Sequence, residues 1–112
     1  MMLDDIKKIK IENLKSEAHK RVNKIRGKYL DFEVESFADQ RSEWRAWKQD
    51  NNAPTPVVDK LAEKYGASKA DFMAIVEANV LEIIEIQGDL RVKIKMVEAA
   101  TSEEEVNSIR LA

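Results

Sequence analysis

Placed at about 100° per residue around a helix axis, Phe72, Val76, Ile83, Leu90, Ile94 and Val97 fall within one narrow arc. Val76, Ile83, Leu90 and Val97 stand seven residues apart, the spacing of a seam for another helix, from this chain or from a second copy. A stripe of that length is most simply buried by other helices, so the fold class predicted is all-α. The stripe passes through Gly88, and glycine costs about 1 kcal/mol relative to alanine inside a helix. Two readings stay open there: a continuous helix, or a break or kink at Gly88. Met73, Val80, Leu81 and Ile84 add a second apolar side, more than one neighbour on a single face requires.

The rest of the chain carries the same signature. Three glycines and two prolines among 112 residues leave few breakers, and no stretch alternates apolar with polar residues long enough to suggest a strand. A first helix is expected over roughly 3–28. It places Ile11, Leu14, Ala18, Val22, Ile25 and Tyr29 in one arc and Met2, Ile6 and Ile9 on a different side. A second helix, roughly 33–50, carries Phe37, Trp44 and Trp47 on one side. Two indoles there dominate the local packing. Asp50 to Pro54 read as a loop, because Asn, Asp and Pro favour turns and the residue before a proline avoids helical dihedrals.

Thr55 then caps a third helix with Pro56 at its first position, where the missing N–H costs nothing. Val58, Leu61, Ala62 and Tyr65 form its buried stripe, and Gly66 closes it in a left-handed conformation. Ser68 with Asp71 opens the long fourth helix, and Thr101 with Glu104 forms a capping box for a short last helix bearing Val106 and Ile109. The architecture predicted is a small helical bundle or helical hairpin, oligomeric, with a long N-terminal helix and a long fourth helix. Residues 1–30 would be a basic N-terminal helix for oligomerisation or partner contact, and residues 31–112 the helical domain.

Charge separates these parts. Residues 1–30 carry nine Lys or Arg against four Asp or Glu, whereas the remainder carries ten against seventeen. Lys20, Lys24 and Lys28 make an i, i+4 ridge beside Arg21, and Trp44, Arg45, Trp47 and Lys48 interleave aromatic with basic residues, so nucleic-acid binding has to be weighed. A pI near 5.5 and the apolar placement of both tryptophans argue against it. No membrane contact is expected. No apolar run approaches the about 20 residues a bilayer needs, no signal peptide is legible, and Glu12 and Glu17 interrupt the basic helix.

Chemistry finds no foothold. There is no cysteine, which removes thiol catalysis, disulfides and Cys-based zinc sites. His19 stands alone, without the partners of a metal site or a Ser-His-Asp arrangement. No glycine-rich phosphate cradle is present. Glu103, Glu104 and Glu105 read as first-turn charges favoured by the helix dipole, and Glu33, Glu35, Asp39 and Glu43 as a solvated acidic face. No cofactor, no metal and no enzymatic activity are expected.

Phe37, Gln40, Glu43, Trp44 and Asp50, then Ala53-Pro54-Thr55-Pro56-Val57-Val58-Asp59 with Leu61-Ala62 and Gly66, form a pattern. With a closing Ala99-Ala100-Thr101 it spans about residues 35–110. It resembles a group of small helical proteins encoded by tailed bacteriophages and prophages near tail or tail-fibre genes. Ala67-Ser68-Lys69 departs from the small residues usual after the glycine. In physical terms the pattern is a loop and a helix start, with Gln40, Asp50 and Asp59 as partners for the loop backbone. The resemblance implies tail association, in the host cytoplasm during assembly or in the virion.

The expectation is therefore a non-enzymatic, tail-associated structural or assembly protein, self-associating and holding other tail proteins through helix contacts at Met2, Ile6, Ile9, Leu81 and Ile84. Two alternatives stand beside it: a small phage-encoded regulator or inhibitor of a host protein, and a nucleic-acid-binding helical protein. Phe37, Trp44, Trp47, Pro54, Thr55, Pro56, Gly66, Phe72, Val76, Ile83 and Leu90 are expected to serve the fold.

Overall fold

The computed structural model describes residues 2–112, and of Asp31 and Phe32 the backbone alone. Every regular element among the described residues is an α-helix: α1 Leu3–Arg26, α2 Asp31–Glu35, α3 Phe37–Gln49, α4 Pro56–Tyr65, α5 Lys69–Ala99 and α6 Glu103–Ser108. The chain is all-α, with a long N-terminal helix and a longer one beginning at Lys69. α5 runs through Gly88 without a break.

Two compact units divide the chain, and the boundary expected at residue 30 is not one of theirs. The stretch ending at Ile25 belongs with Ile83–Ala112, and Arg26–Glu82 forms the other unit. The reason is burial: α1 is not a free arm, because Leu14 and Ala18 share a core with Val97, Ala100, Val106, Ile109 and Leu111. Leu3, Ile6, Ile11, Ile86 and Leu90 pack on that core half-buried. Removing an aliphatic side chain of this size from water contributes about 1.5–3 kcal/mol. Polar ties hold the surrounding backbone. Lys7 Nζ donates to the carbonyl of Glu98 at 2.8 Å, Ala112 N to Asp89 Oδ2 at 2.7 Å, and Arg21 to the oxygen of Ala112.

The cap of α6 lies one residue later than the sequence suggests. Ser102, not Thr101, precedes the first helical residue, and its Oγ accepts from Glu105 N at 3.1 Å. The Glu105 carboxylate in turn accepts from Thr101 N at 2.6 Å and from Thr101 Oγ1 at 3.3 Å. Both Thr101 and Ser102 are residue types that cap, and Val106 and Ile109 are buried with Ser102 at the helix start.

In the Arg26–Glu82 unit, Val58 and Ala62 of α4 share a core with Phe72, Met73, Val76 and Val80 of α5, and Trp44, Trp47 and Leu61 lie half-buried against it. The expected second helix divides at Ser36. Its Oγ donates to the carbonyl of Glu33 at 2.7 Å and accepts from Gln40 Nε2 at 2.8 Å, so the side chain competes for the helical backbone and α2 stops before α3 begins. Asp50 shapes the following loop, with Oδ1 accepting from Asn52 N at 3.0 Å. Pro54 is exposed, whereas Thr55 is buried and donates to Asp59 at 2.9 Å.

Thr55 makes no side-chain cap. Glu43 on α3 does its work: Oε2 accepts from Val57 N at 3.0 Å and Oε1 from Val58 N at 2.8 Å. Pro56 sits at the first position of α4 as expected, and Gly66 ends that helix at φ 68°, ψ 25°, its N–H bonded to the carbonyls of Ala62 and Glu63. Ser68 Oγ accepts from Asp71 N at 3.1 Å, the expected opening of the long helix.

The stripe with seven-residue spacing is met largely within the chain. Val76 belongs to one core, Val97 and Leu90 to the other, Ile94 is buried and Ile83 is half-buried.

Candidate protein-binding surfaces

Of the side chains expected to meet partners, Ile6 is corrected: it packs half-buried on the core shared by α1, α5 and α6. Met2, Ile9, Leu81 and Ile84 keep 74%, 49%, 53% and 48% of their surface exposed. Ile6 and Ile9 line a shallow hollow of about 310 Å³ with Lys10, Asn13, Glu103 and Asn107. Leu81 lies on the side of α5 turned away from Phe72 and Val76.

The sequence reading passes over Val92 and Met96, which are about half exposed. With Ile84 and Gly88 they form a row at i, i+4 spacing, turned away from Leu90, Ile94 and Val97. Among the described residues, and apart from the helix's own backbone and the two chain neighbours, nothing lies within 4 Å of where a Gly88 side chain would begin. The glycine therefore leaves a shallow notch in an exposed apolar ridge.

A larger concavity lies within the Arg26–Glu82 unit, a cleft of about 530 Å³. Tyr29 meets Phe37 edge to face, centroids 5.0 Å apart and planes at 86°. Tyr65 stacks on Phe72 with centroids 6.0 Å apart and planes at 12°. These two pairs line the cleft with Leu61, Ile75 and Ala67, and the polar lining is Lys28, Glu33, Ser36, Gln40 and Asn79. Phe37 and Phe72 thus line a surface as well as serving the fold. The cleft draws on several segments at once, so no local period marks it in the sequence.

Among the described residues, two groups titrate away from their ordinary ranges. The Tyr65 hydroxyl donates to Glu33 Oε2 at 3.1 Å, and that hydrogen bond, with some desolvation and the Glu33 charge, raises its pKa. Asp89 is lowered, first by accepting the N–H of Ala112 and then by its hydrogen bond with Lys93, against a smaller opposing effect of burial.

The acidic residues of α2 and α3 are not one solvated face. Glu43 caps α4, and Glu33 accepts from Leu30 N at 3.3 Å as well as from Tyr65. Glu35 and Asp39 are exposed. His19 and the Lys20, Lys24 and Lys28 ridge are exposed, while Trp44 and Trp47 pack on the core, so the interleaved aromatic and basic residues form no open stacking platform. Trp44 Nε1 is buried without a hydrogen-bond partner among the described residues. Among those residues no group of three or more His, Cys, Asp or Glu is placed to hold a metal ion, and no helix is long and apolar enough to cross a membrane. No protein-family model, curated protein or solved structure matches the chain.

Proposed function

We propose that this protein is a non-enzymatic assembly component that associates through helix-to-helix contacts, with a second copy of itself as the first partner. The observation that carries the reading is the ridge Ile84, Gly88, Val92, Met96 on α5. A glycine inside a helix costs about 1 kcal/mol relative to alanine, and here no neighbour among the described residues needs the space. Single exposed apolar side chains are ordinary. A row at i, i+4 spacing with a notch is what a facing helix packs into.

The resemblance of residues 35–110 to phage proteins supports tail association as the setting, with other tail proteins as further partners. Inhibition of a host enzyme by acidic mimicry has less support, since Glu33 and Glu43 are engaged inside the fold.

Light scattering coupled to size exclusion, run on the full chain from low to high micromolar concentration, tests the reading. The mass should rise toward that of a dimer or larger assembly, and Ile84→Asp should hold it at that of one chain. A wild-type protein that stays monomeric throughout ends the proposal.

A further inference from the structure

We infer that the cleft of the Arg26–Glu82 unit binds the guanidinium group of a partner's arginine, laid on its aromatic rings and hydrogen-bonded by Glu33, Gln40 and Asn79. The volume, about 530 Å³, falls within the roughly 300–1,000 Å³ usual for ligand sites. It exceeds one side chain and leaves room for the residues beside the arginine. Tyr65, exposed and backed by Phe72, and the half-buried pair Tyr29 and Phe37 supply aromatic surface whose π-faces attract cations, arginine more often than lysine.

The polar lining selects the same ligand. Gln40 Nε2 donates to Ser36 Oγ at 2.8 Å, Asn79 Nδ2 to the Tyr29 hydroxyl at 3.0 Å, and the Tyr65 hydroxyl to Glu33. Internal bonding thus uses one N–H of each amide, while Gln40 Oε1 and Asn79 Oδ1 receive no hydrogen bond from any described residue. Two amide oxygens and the Glu33 carboxylate remain as acceptors beside the second N–H of each amide, so the negative charge among the lining groups is that of Glu33. An anion would meet the Glu33 charge, and a hydrocarbon would strand the polar groups. A guanidinium offers five N–H donors in a plane that also stacks on flat rings, whereas an ammonium offers three around a point charge.

Lys28 is the cationic residue of the lining, and it is exposed, so its charge opposes the ligand from the rim. Protein binding is thereby extended to a second surface. The two fail separately, since self-association through the α5 ridge can be absent while the cleft still binds.

The full chain, labelled with ¹⁵N, is titrated at low salt with N-acetyl-arginine-N-methylamide, and with the citrulline and glutamate counterparts as neutral and anionic probes. The arginine probe alone should give saturable shifts, confined to amides around the cleft. Glu33→Gln should weaken its binding, and Lys28→Gln should tighten it by about two- to fivefold, the range of one surface charge interaction. Tyr65→Leu removes a ring that is largely exposed, so the rest of the spectrum should stay unchanged while affinity falls. Equal binding of the citrulline probe, preference for the glutamate probe, a weakening by Lys28→Gln, or no saturable shift would each overturn the inference.

Discussion

The carboxylate of Glu43 on α3 takes the backbone N–H of Val58 on α4 at 2.8 Å, fifteen positions along the chain, and with its other oxygen the N–H of Val57 at 3.0 Å. One side chain thereby satisfies two of the donors that a helix start leaves unpaired, and places negative charge where the helix dipole favours it. Thr55, the residue whose type and position suggest a cap, spends its hydroxyl on Asp59.

Glu43→Ala should therefore destabilise the fold by about 1–3 kcal/mol, the range for charged hydrogen bonds lost at a helix start. Glu43→Gln, which keeps one acceptor, should cost less. Thr55→Val, which keeps the shape and drops a hydroxyl that caps nothing, should cost less than Glu43→Ala. Urea unfolding followed by circular dichroism measures all three. A larger loss for Thr55→Val than for Glu43→Ala would show that the cap is misassigned.

Acid should expose the tie around Asp89. Its pKa is lowered by the N–H of Ala112 and by Lys93, with Arg21 adding a smaller attraction. A carboxylate depressed on folding stabilises the folded state above its unfolded pKa, and that contribution drains away as pH falls through the folded value. The wild-type protein should thus melt above Asp89→Asn at pH 7, with the gap closing below about pH 4, the ordinary carboxylate range. Thermal melts of the two proteins from neutral to acid pH check this. A gap that persists unchanged into strong acid would assign the effect to packing.

What the sequence carries is the periodic part of the fold. The stripe from Phe72 to Val97, Pro56 at a helix start and Gly66 at a helix end are local signals, and each stands where its period or backbone preference puts it. What it hides depends on contacts between segments. Glu43 looks solvated until α3 and α4 form a hairpin, and Ile6 looks surplus until α6 and the end of α5 meet α1. The aromatic cleft is assembled from four helices and the turns beside them, so its Tyr29, Glu33, Tyr65 and Asn79 share no period. Adjacent capping residues gave the register error at α6. Glu105→Ala should accordingly cost more stability than Glu104→Ala, by about 1 kcal/mol, in the same urea assay.

Tyr65 offers a spectroscopic check on the cleft without any ligand. Its hydroxyl donates to Glu33, which raises its pKa above the ordinary 10.0 of tyrosine. Folding thus favours the neutral phenol, a stabilisation fully present below pH 10 and lost as pH rises through the folded value. Ultraviolet titration comparing the wild type with Tyr65→Phe isolates this group. Glu33→Gln should bring the Tyr65 transition down toward the ordinary value, since it removes the anion facing the phenol. An unmoved transition would place Glu33 elsewhere in solution.

Gly88→Ala separates the stability of one chain from its association. Beyond the helix's own backbone a methyl group there meets no described residue within 4 Å, and α5 is regular through the position, so the substitution gains helix propensity without a clash. The monomer should gain up to about 1 kcal/mol. If the ridge of Ile84, Val92 and Met96 meets a second helix at the notch, the same methyl group holds the partner backbone away, and association should weaken about tenfold, as a loss of 1.4 kcal/mol at the contact would give. Unfolding at sub-micromolar concentration reads the first quantity and sedimentation equilibrium the second. Opposite signs, with a steadier chain and a weaker assembly, are the expected result. A gain in both would mean that no helix approaches Gly88 closely, and self-association through this ridge would have to be abandoned.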